Sequence, residues 1–299
     1  MKKLVLVLTL LSLLISCDFS LIKETGERFK ETVLSDKGSE KIKFLIIADL
    51  HLGREKEDNG VTDYSETILS YISEEDGYEF ALLSGDVADT AHQFSRAKDF
   101  ITKLKDKMGN DNVIYALGNH ELHYANKKAW LDHDFGDKEH DLFHKYVFDG
   151  VSIYKLDTSD RALGFAQFSA LEEALKADDN KFKLMLSHVP ISGKNTQMTS
   201  LQFTLASADE RNKLILLMNK YNVGTYITGH HHIGNYAEHF TPTNSEFMLA
   251  AAHARDLFGL ESSGYYYEGL LDKAKKKLII KAFNAKDDSL AKTYTFKQP

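Results

Sequence analysis

Seven side chains with oxygen or imidazole nitrogen donors stand just beyond short apolar runs in this sequence. They are Asp49, His51, Asp86, Asn119, His188, His230 and His232. Hard carboxylate and amide oxygen is mixed here with borderline imidazole nitrogen. Such donors suit two divalent first-row ions, manganese, iron or zinc, whereas a structural zinc site would draw on cysteine. The chain has a single cysteine, Cys17.

Three consecutive histidines, His230 to His232, pose the sharpest question. In an extended backbone residues i and i+2 point to the same side. On that rule Asp49 faces with His51, His230 faces with His232, and His231 points away. The first and third histidines are then the candidate ligands. His231 is expected to face a substrate or the surface. Gly229, just before them, lets the backbone approach a ligand closely or turn sharply.

Positioning these groups requires a regular scaffold. Lys41–Leu50, Phe80–Leu83 and Asn112–Leu117 read as buried strands, as do 151–156, 182–187 and 223–228. Helical spacing is expected over 64–75, 91–108, 162–175 and 209–221. Three strand-like runs close the chain, EFMLAAA, GYYYEGLL and KKLIIKAF. Strands alternating with helices argue an α/β fold with mostly parallel inner strands, and chemistry at the strands' C-terminal ends is where such sheets place their sites.

Taken in order, D-x-H at Asp49–His51, G-D-x-x-D at Gly85–Asp89, G-N-H-E at Gly118–Glu121, a lone His188 and G-H-x-H at Gly229–His232 resemble the calcineurin-like metallophosphoesterase superfamily. The resemblance covers roughly residues 42–285. It implies a four-layer sandwich of two mixed β-sheets flanked by helices, and two divalent cations as cofactors. Asp49, His51 and His232 would hold one ion, Asn119, His188 and His230 the other, and Asp86 would bridge them. It also implies hydrolysis of a phosphate monoester or diester by a metal-bridging hydroxide, with His120 as general acid. Two cations about 3.5–4 Å apart can bind phosphate oxygens and an attacking hydroxide together, lowering the pKa of the bridging water. Asp86 has the two oxygens a bridge needs, and Asn119 supplies a neutral one. By alternation His120 lies on the side opposite Asn119. A histidine acid wants a carboxylate to orient it, and Asp89 fills that place unless it merely caps the following helix. Purple acid phosphatases of this superfamily carry tyrosine where Asp89 stands, and its lipid A precursor hydrolases carry arginine where His120 stands.

Other polar residues have two readings each. Glu121 either supports a ligand from behind or is solvated. The segment 122–146 has no clean period and reads as an insertion. Its His123, His133, His140 and His144 either cover the site or lie on the surface. Arg255 and Asp256 either meet a substrate group or are surface residues.

The N-terminus is of another kind. Two lysines precede an apolar run from Leu4 to Ile15, too short to span a bilayer, and Leu14-Ile15-Ser16-Cys17 resembles a bacterial lipobox. The expected organisation is a signal peptide over 1–16, lipidation of Cys17, a polar tether over 17–40 and one domain over 41–299. Loss of Lys2 and Lys3 would take the formal charge from −7 to −9. That acidity disfavours nucleic acid as a partner and requires a local positive site for a small phosphorylated substrate. A non-catalytic lipoprotein using the same fold as a binding module is the rival reading; intact His120 and Asp89 argue against it.

Overall fold

Short apolar runs form the inner strands of the computed structural model, which describes residues 29–54, 62–135, 141–192, 203–232, 234–257, 260–262 and 264–299. In chain order the strands are β1 (Glu31–Ser35), β2 (Lys41–Ile47), β3 (Phe80–Leu83), β4 (Val113–Tyr115), β5 (His144–Phe148), β6 (Val151–Lys155), β7 (Phe182–Leu186) and β8 (Thr225–Thr228). There follow β9 (Tyr236–His239), β10 (Ser245–Met248), β11 (Arg255–Leu257), β12 (Leu260–Ser262), β13 (Tyr265–Asp272), β14 (Lys277–Asn284) and β15 (Leu290–Lys297). The helices are α1 (Ser65–Tyr71), α2 (Phe94–Met108), α3 (Lys127–Asp132), α4 (Gly164–Lys176) and α5 (Ala208–Lys220).

Two mixed sheets result. One runs β1-β5-β6-β7-β8-β10-β9 and the other β15-β14-β13-β2-β3-β4. The inner strands are parallel, β6 to β7 to β8 to β10 in the first sheet and β2 to β3 to β4 in the second. Antiparallel neighbours such as β13 and β9 flank them. Phe44, Ile46, Phe80 and Leu82 of one sheet join Phe148, Ile153, Leu184 and Phe247 of the other in a single core cluster. The alternate residues Leu45, Ile47, Ala81 and Leu83 pack with Ile101 and Leu104 of α2. On the outer face of the larger sheet, Tyr154, Met185 and Tyr226 pack with Leu171 of α4 and Leu214 and Met218 of α5. The order is therefore helix, sheet, sheet, helix. Strands covered on both faces read as continuous apolar runs, which is why they are visible in sequence.

Two expected boundaries are corrected. Residues 31–35, expected within a tether, form the edge strand β1, paired in parallel with β5. Lys145 Nζ meets Glu31 Oε2 at 2.7 Å and Thr32 Oγ1 bonds His144 Nε2 at 2.9 Å. An edge strand half open to water carries no apolar run, so its sequence resembles a linker. The expected insertion over 122–146 likewise contains α3 and ends inside β5, and His144 is buried in that strand rather than in a loop. Among the described residues no helix is long and apolar enough to cross a membrane. The run Leu4–Ile15 and Cys17 lie outside the described residues.

Candidate metal centre

The parallel strands end on one side of the molecule, and the backbone kinks immediately after them. Asp49 (φ +53°), His51 (+50°), Asp86 (+50°), His230 (+71°) and His232 (+59°) all adopt left-handed backbone. That conformation costs about 1–3 kcal/mol for a residue bearing Cβ and persists only where its surroundings enforce it. Here Asp49 N–H donates to Gly85 O (3.1 Å), His51 N–H to Asp86 O (2.9 Å) and Leu52 N–H to Val87 O (2.8 Å). These bonds continue the β2–β3 pairing past the strand ends. The extended backbone assumed for side-chain alternation is therefore absent. The paired residues converge because left-handed turns aim them, not because a strand alternates them.

Three overlapping groups of side chains result among the described residues. Asp49, His51, Asp86 and His232 bring one ligand atom each within 4.8 Å of one another, Asp86, His188 and His230 do the same, and so do His51, Asp89 and His120 beside them. In the first group His51 Nε2 lies 3.1 Å from His232 Nε2, and His232 Nε2 lies 3.3 Å from Asp49 Oδ1. In the second, His188 Nε2 lies 3.0 Å from Asn119 Oδ1 and 3.2 Å from His230 Nδ1. Asp86 belongs to both, its Oδ2 being 3.6 Å from His51 Nε2 and 3.2 Å from His188 Nε2. The arrangement is consistent with a dinuclear metal site.

The residues fit such a group. Asp86 Oδ2 and His230 Nε2 are buried without a hydrogen-bond partner, and nitrogen pairs face each other at hydrogen-bond distance. Burial holds the His51 and His230 imidazoles well below their ordinary 6.5, against the pull of Asp89 on the first. Neutral imidazole is the form that binds a cation. Burial would raise the Asp86 carboxyl, but His188 beside it, with His120 and His51, holds it well below the carboxylate range. His188 responds in kind: burial would lower it, yet Asp86 pushes it up to about 10. Bound cations would take over the charge compensation that His188 gives Asp86.

Beside this cluster, Asp89 Oδ1 lies 2.8 Å from His51 Nδ1 and 3.2 Å from His120 Nδ1. One carboxylate thus serves two imidazoles, only one of which was anticipated. Its pKa is depressed: burial opposes, but bonds from His120 and His51 and the charge of Arg54 prevail. Burial would lower His120, but the bond to Asp89 and the charges of Asp86 and Asp89 together move it up. His120 does not lie across a strand from Asn119. It opens a short 3-10 turn over His120–Leu122, its N–H donates to Asp86 Oδ1 (2.8 Å), and its ring meets the His51 ring at 4.3 Å between centroids.

Glu121 is fully buried. Its carboxylate accepts the N–H groups of Asp86 (3.1 Å), Ala88 (3.1 Å) and Gly118 (3.0 Å) and the Tyr115 hydroxyl, tying two ligand loops together. Burial and the charge of Asp86 push it up to about 7. A Cβ at Gly118 would collide with the Asp86 carboxylate, and one at Gly229 would lie 2.5 Å from Asp49 Oδ2. Both glycines are required by close approach to a candidate ligand.

Other expected residues lie elsewhere. His231 is neither on the surface nor turned to a substrate: it is buried, bonds the Phe203 carbonyl through Nε2 at 2.9 Å, and is lowered by burial to about 4. His133 packs on the Phe94 and Phe135 rings, and His144 bonds Thr32. His140 lies outside the described residues, as do the side chains of Arg255 and Asp256. His123 alone of the segment's described histidines reaches the site, its ring 4.3 Å from that of His120. Sequence reasoning missed His253, which follows β10. It is buried, its Nδ1–H donates to Asp49 O at 2.7 Å, and its ring lies 5.1 Å from both His51 and His232. Its position after an apolar strand was the available signal. Arg54, also missed, lies 3.6 Å from Asp89 Oδ1.

The chain is 30% identical over 149 residues to a probable cyclic nucleotide phosphodiesterase of Fibrobacter succinogenes, covering 48% of this chain and 56% of that protein. It is 22% identical over 193 residues to an uncharacterized metallophosphoesterase of Campylobacter jejuni, covering 64% and 44%. The chain thus spans about half the length of the curated relatives it matches. Among solved structures, a purple acid phosphatase from yellow lupin superposes with a TM-score of 0.62 at 12% identity, over 88% of this chain and 54% of that one. GAP50, the anchor in the inner membrane complex of Plasmodium, gives 0.62 at 13%, over 87% and 89%. These likenesses concern the fold alone. The model of the calcineurin-like phosphoesterase family matches residues 42–234, well over half of the sequence. With two sheets, two clusters of candidate metal ligands and that match, the chain belongs to the calcineurin-like phosphoesterase family.

Proposed function

We propose that the protein hydrolyses phosphate esters with two divalent ions of the manganese, iron or zinc type. Asp49, His51 and His232 hold one ion, Asn119, His188 and His230 the other, and Asp86 serves both. The observation that carries this reading is the buried Asp86 Oδ2, set 3.6 Å from His51 Nε2 and 3.2 Å from His188 Nε2. Two bound ions would supply charge neutralisation at the phosphoryl group and a water acidic enough to attack at neutral pH. The chain's own contribution is to place a proton. His120 Nδ1 is committed to Asp89, both to its carboxylate and to its carbonyl at 3.0 Å. Nε2 is then the nitrogen that faces a leaving-group oxygen and protonates it. Asp89 favours the protonated ring and fixes its orientation.

A protein that keeps the fold only to bind is the rival, and a structural neighbour described as an anchor shows why fold does not decide. Elemental analysis together with turnover of p-nitrophenyl phosphate and bis-p-nitrophenyl phosphate separates the two. About two ions per chain and hydrolysis of at least one ester are expected. A metal-loaded protein that turns over neither p-nitrophenyl ester nor a cyclic nucleotide is the binding module.

The mature protein is, in the same proposal, exported and anchored through lipidated Cys17, on the strength of the Leu14–Cys17 pattern after an apolar run. Cys17→Ser should release it from the membrane fraction or leave the precursor unprocessed. An unchanged membrane fraction would return Cys17 to chance.

A further inference from the structure

We infer that Arg54 and His123 form an anion subsite beside His120, on the leaving-group side, selecting phosphate esters whose alcohol carries its own negative charge, a carboxylate or a second phosphate. This rests on the hydrolase reading of the same site and deepens it. Arg54 stands in the turn after His51, its N–H donating to His51 O at 3.1 Å. A guanidinium has five donors and does not shed its charge. Arg54 Nη1 is buried and has no hydrogen-bond partner among the described residues. The nearest carboxylate oxygen, Asp89 Oδ1, is 3.6 Å away, and it is already engaged by His51 at 2.8 Å and His120 at 3.2 Å. One carboxylate therefore faces three basic groups, and its ion pair with the arginine is the longest of the three contacts.

Geometry sets this cation next to the proposed acid, since Arg54 and His120 meet the same oxygen. On the other flank the exposed His123 lies against the His120 ring at 4.3 Å. Burial lowers both His123 and His253, so the fixed positive charge of this corner is that of Arg54. An alcohol whose oxygen takes a proton from His120 must extend past these groups. The formal charge of the chain is −7, so this basic corner is a local exception that an anionic substituent would find. A charge-assisted bond from arginine to a carboxylate or phosphate is among the stronger contacts a site can offer.

Three two-carbon esters that differ only in terminal charge test this with full-length, metal-loaded protein: 2-phosphoglycolate, ethyl phosphate and O-phosphoethanolamine. Wild type should prefer them in that order by kcat/KM. Arg54→Met should reduce the ratio of 2-phosphoglycolate to ethyl phosphate by roughly tenfold or more, the usual worth of a bond to a charged group. Arg54→Lys should keep part of the ratio, and His123→Ala should reduce it less. Inorganic pyrophosphate, tested alongside, tells a phosphate substituent from a carboxylate. An unchanged ratio in Arg54→Met overturns the inference, as does an equal fall for all three esters, which would make Arg54 a support for Asp89. If wild type hydrolyses none of them, the hydrolase reading fails for these esters, and calorimetric binding of the same set decides the subsite. Tighter binding of 2-phosphoglycolate than of ethyl phosphate, lost in Arg54→Met, upholds it; equal binding refutes it.

Discussion

Asp86→Ala is expected to take the metal content from about two ions per chain to below one, and to lower turnover by roughly 10³-fold or more. The second figure follows from losing several kcal/mol of charge stabilisation at about 1.4 kcal/mol per tenfold. Among the described residues only Asp86 is common to the group that holds His232 and the group that holds His188, so no other single change should empty both positions. Asp86→Asn keeps the side chain's shape, and with it an oxygen for the His120 N–H, so metal loss there isolates the charge. His232→Ala should lose one ion and keep the other, whereas His231→Asn should stay near two, because His231 turns to the Phe203 carbonyl. Elemental analysis of the purified variants reads all four results. Equal metal loss in the two histidine variants would remove the distinction on which the ligand assignment stands.

His120→Asn should cut turnover by roughly 10²- to 10⁴-fold, the usual worth of a general acid, with both ions retained. Its nitrogen is engaged by Asp89 rather than aimed between the ligand groups, which is why metal should stay. The loss should be smaller for a p-nitrophenyl ester, whose phenolate departs without help, than for an alkyl ester, whose alkoxide must be protonated. The pH dependence has a definite sign. Asp89, with the charge of Asp86, raises the His120 pKa above the ordinary 6.5 despite burial, which favours the protonated acid. Activity that needs that proton is present below the raised pKa and is lost as pH climbs through it. Asp89→Asn removes the support and should shift this alkaline limb to lower pH. Because Asp89 also bonds His51, the same change should weaken the ion held by Asp49, His51 and His232. A His120→Asn protein that slows both ester types equally and loses metal would make His120 a ligand or structural residue.

The order of these effects reflects how each residue is held. Asp86, His51 and His188 are buried and lean on one another, so removing one leaves charge or lone pairs uncompensated. His120 and Asp89 are each about one-fifth exposed at the side chain. A substrate can reach them, and their loss should cost chemistry more than fold.

The amino-acid sequence by itself determined the fold class, the parallel inner strands and the five strand-end motifs. Strands buried on both faces must be apolar throughout, so a carboxylate or imidazole just past such a run stands out without any knowledge of its partners. Edge elements carry no such mark, and β1, β9 and β15 had to be seen in three dimensions. Tertiary structure alone decided how the donors converge. Asp49, His51, Asp86, His230 and His232 are aimed by left-handed backbone, which for the first three is enforced by pairing between the loops after β2 and β3 and which no local period records. It decided that Glu121 is buried under Asp86 and Gly118, that Asp89 is shared by His51 and His120, and that His231 turns to Phe203. His253 and Arg54 reach the same corner from loops roughly two hundred residues apart in the chain. Contacts of that kind depend on which loops the two sheets bring together, and a linear sequence read one segment at a time holds the donors but not their meeting.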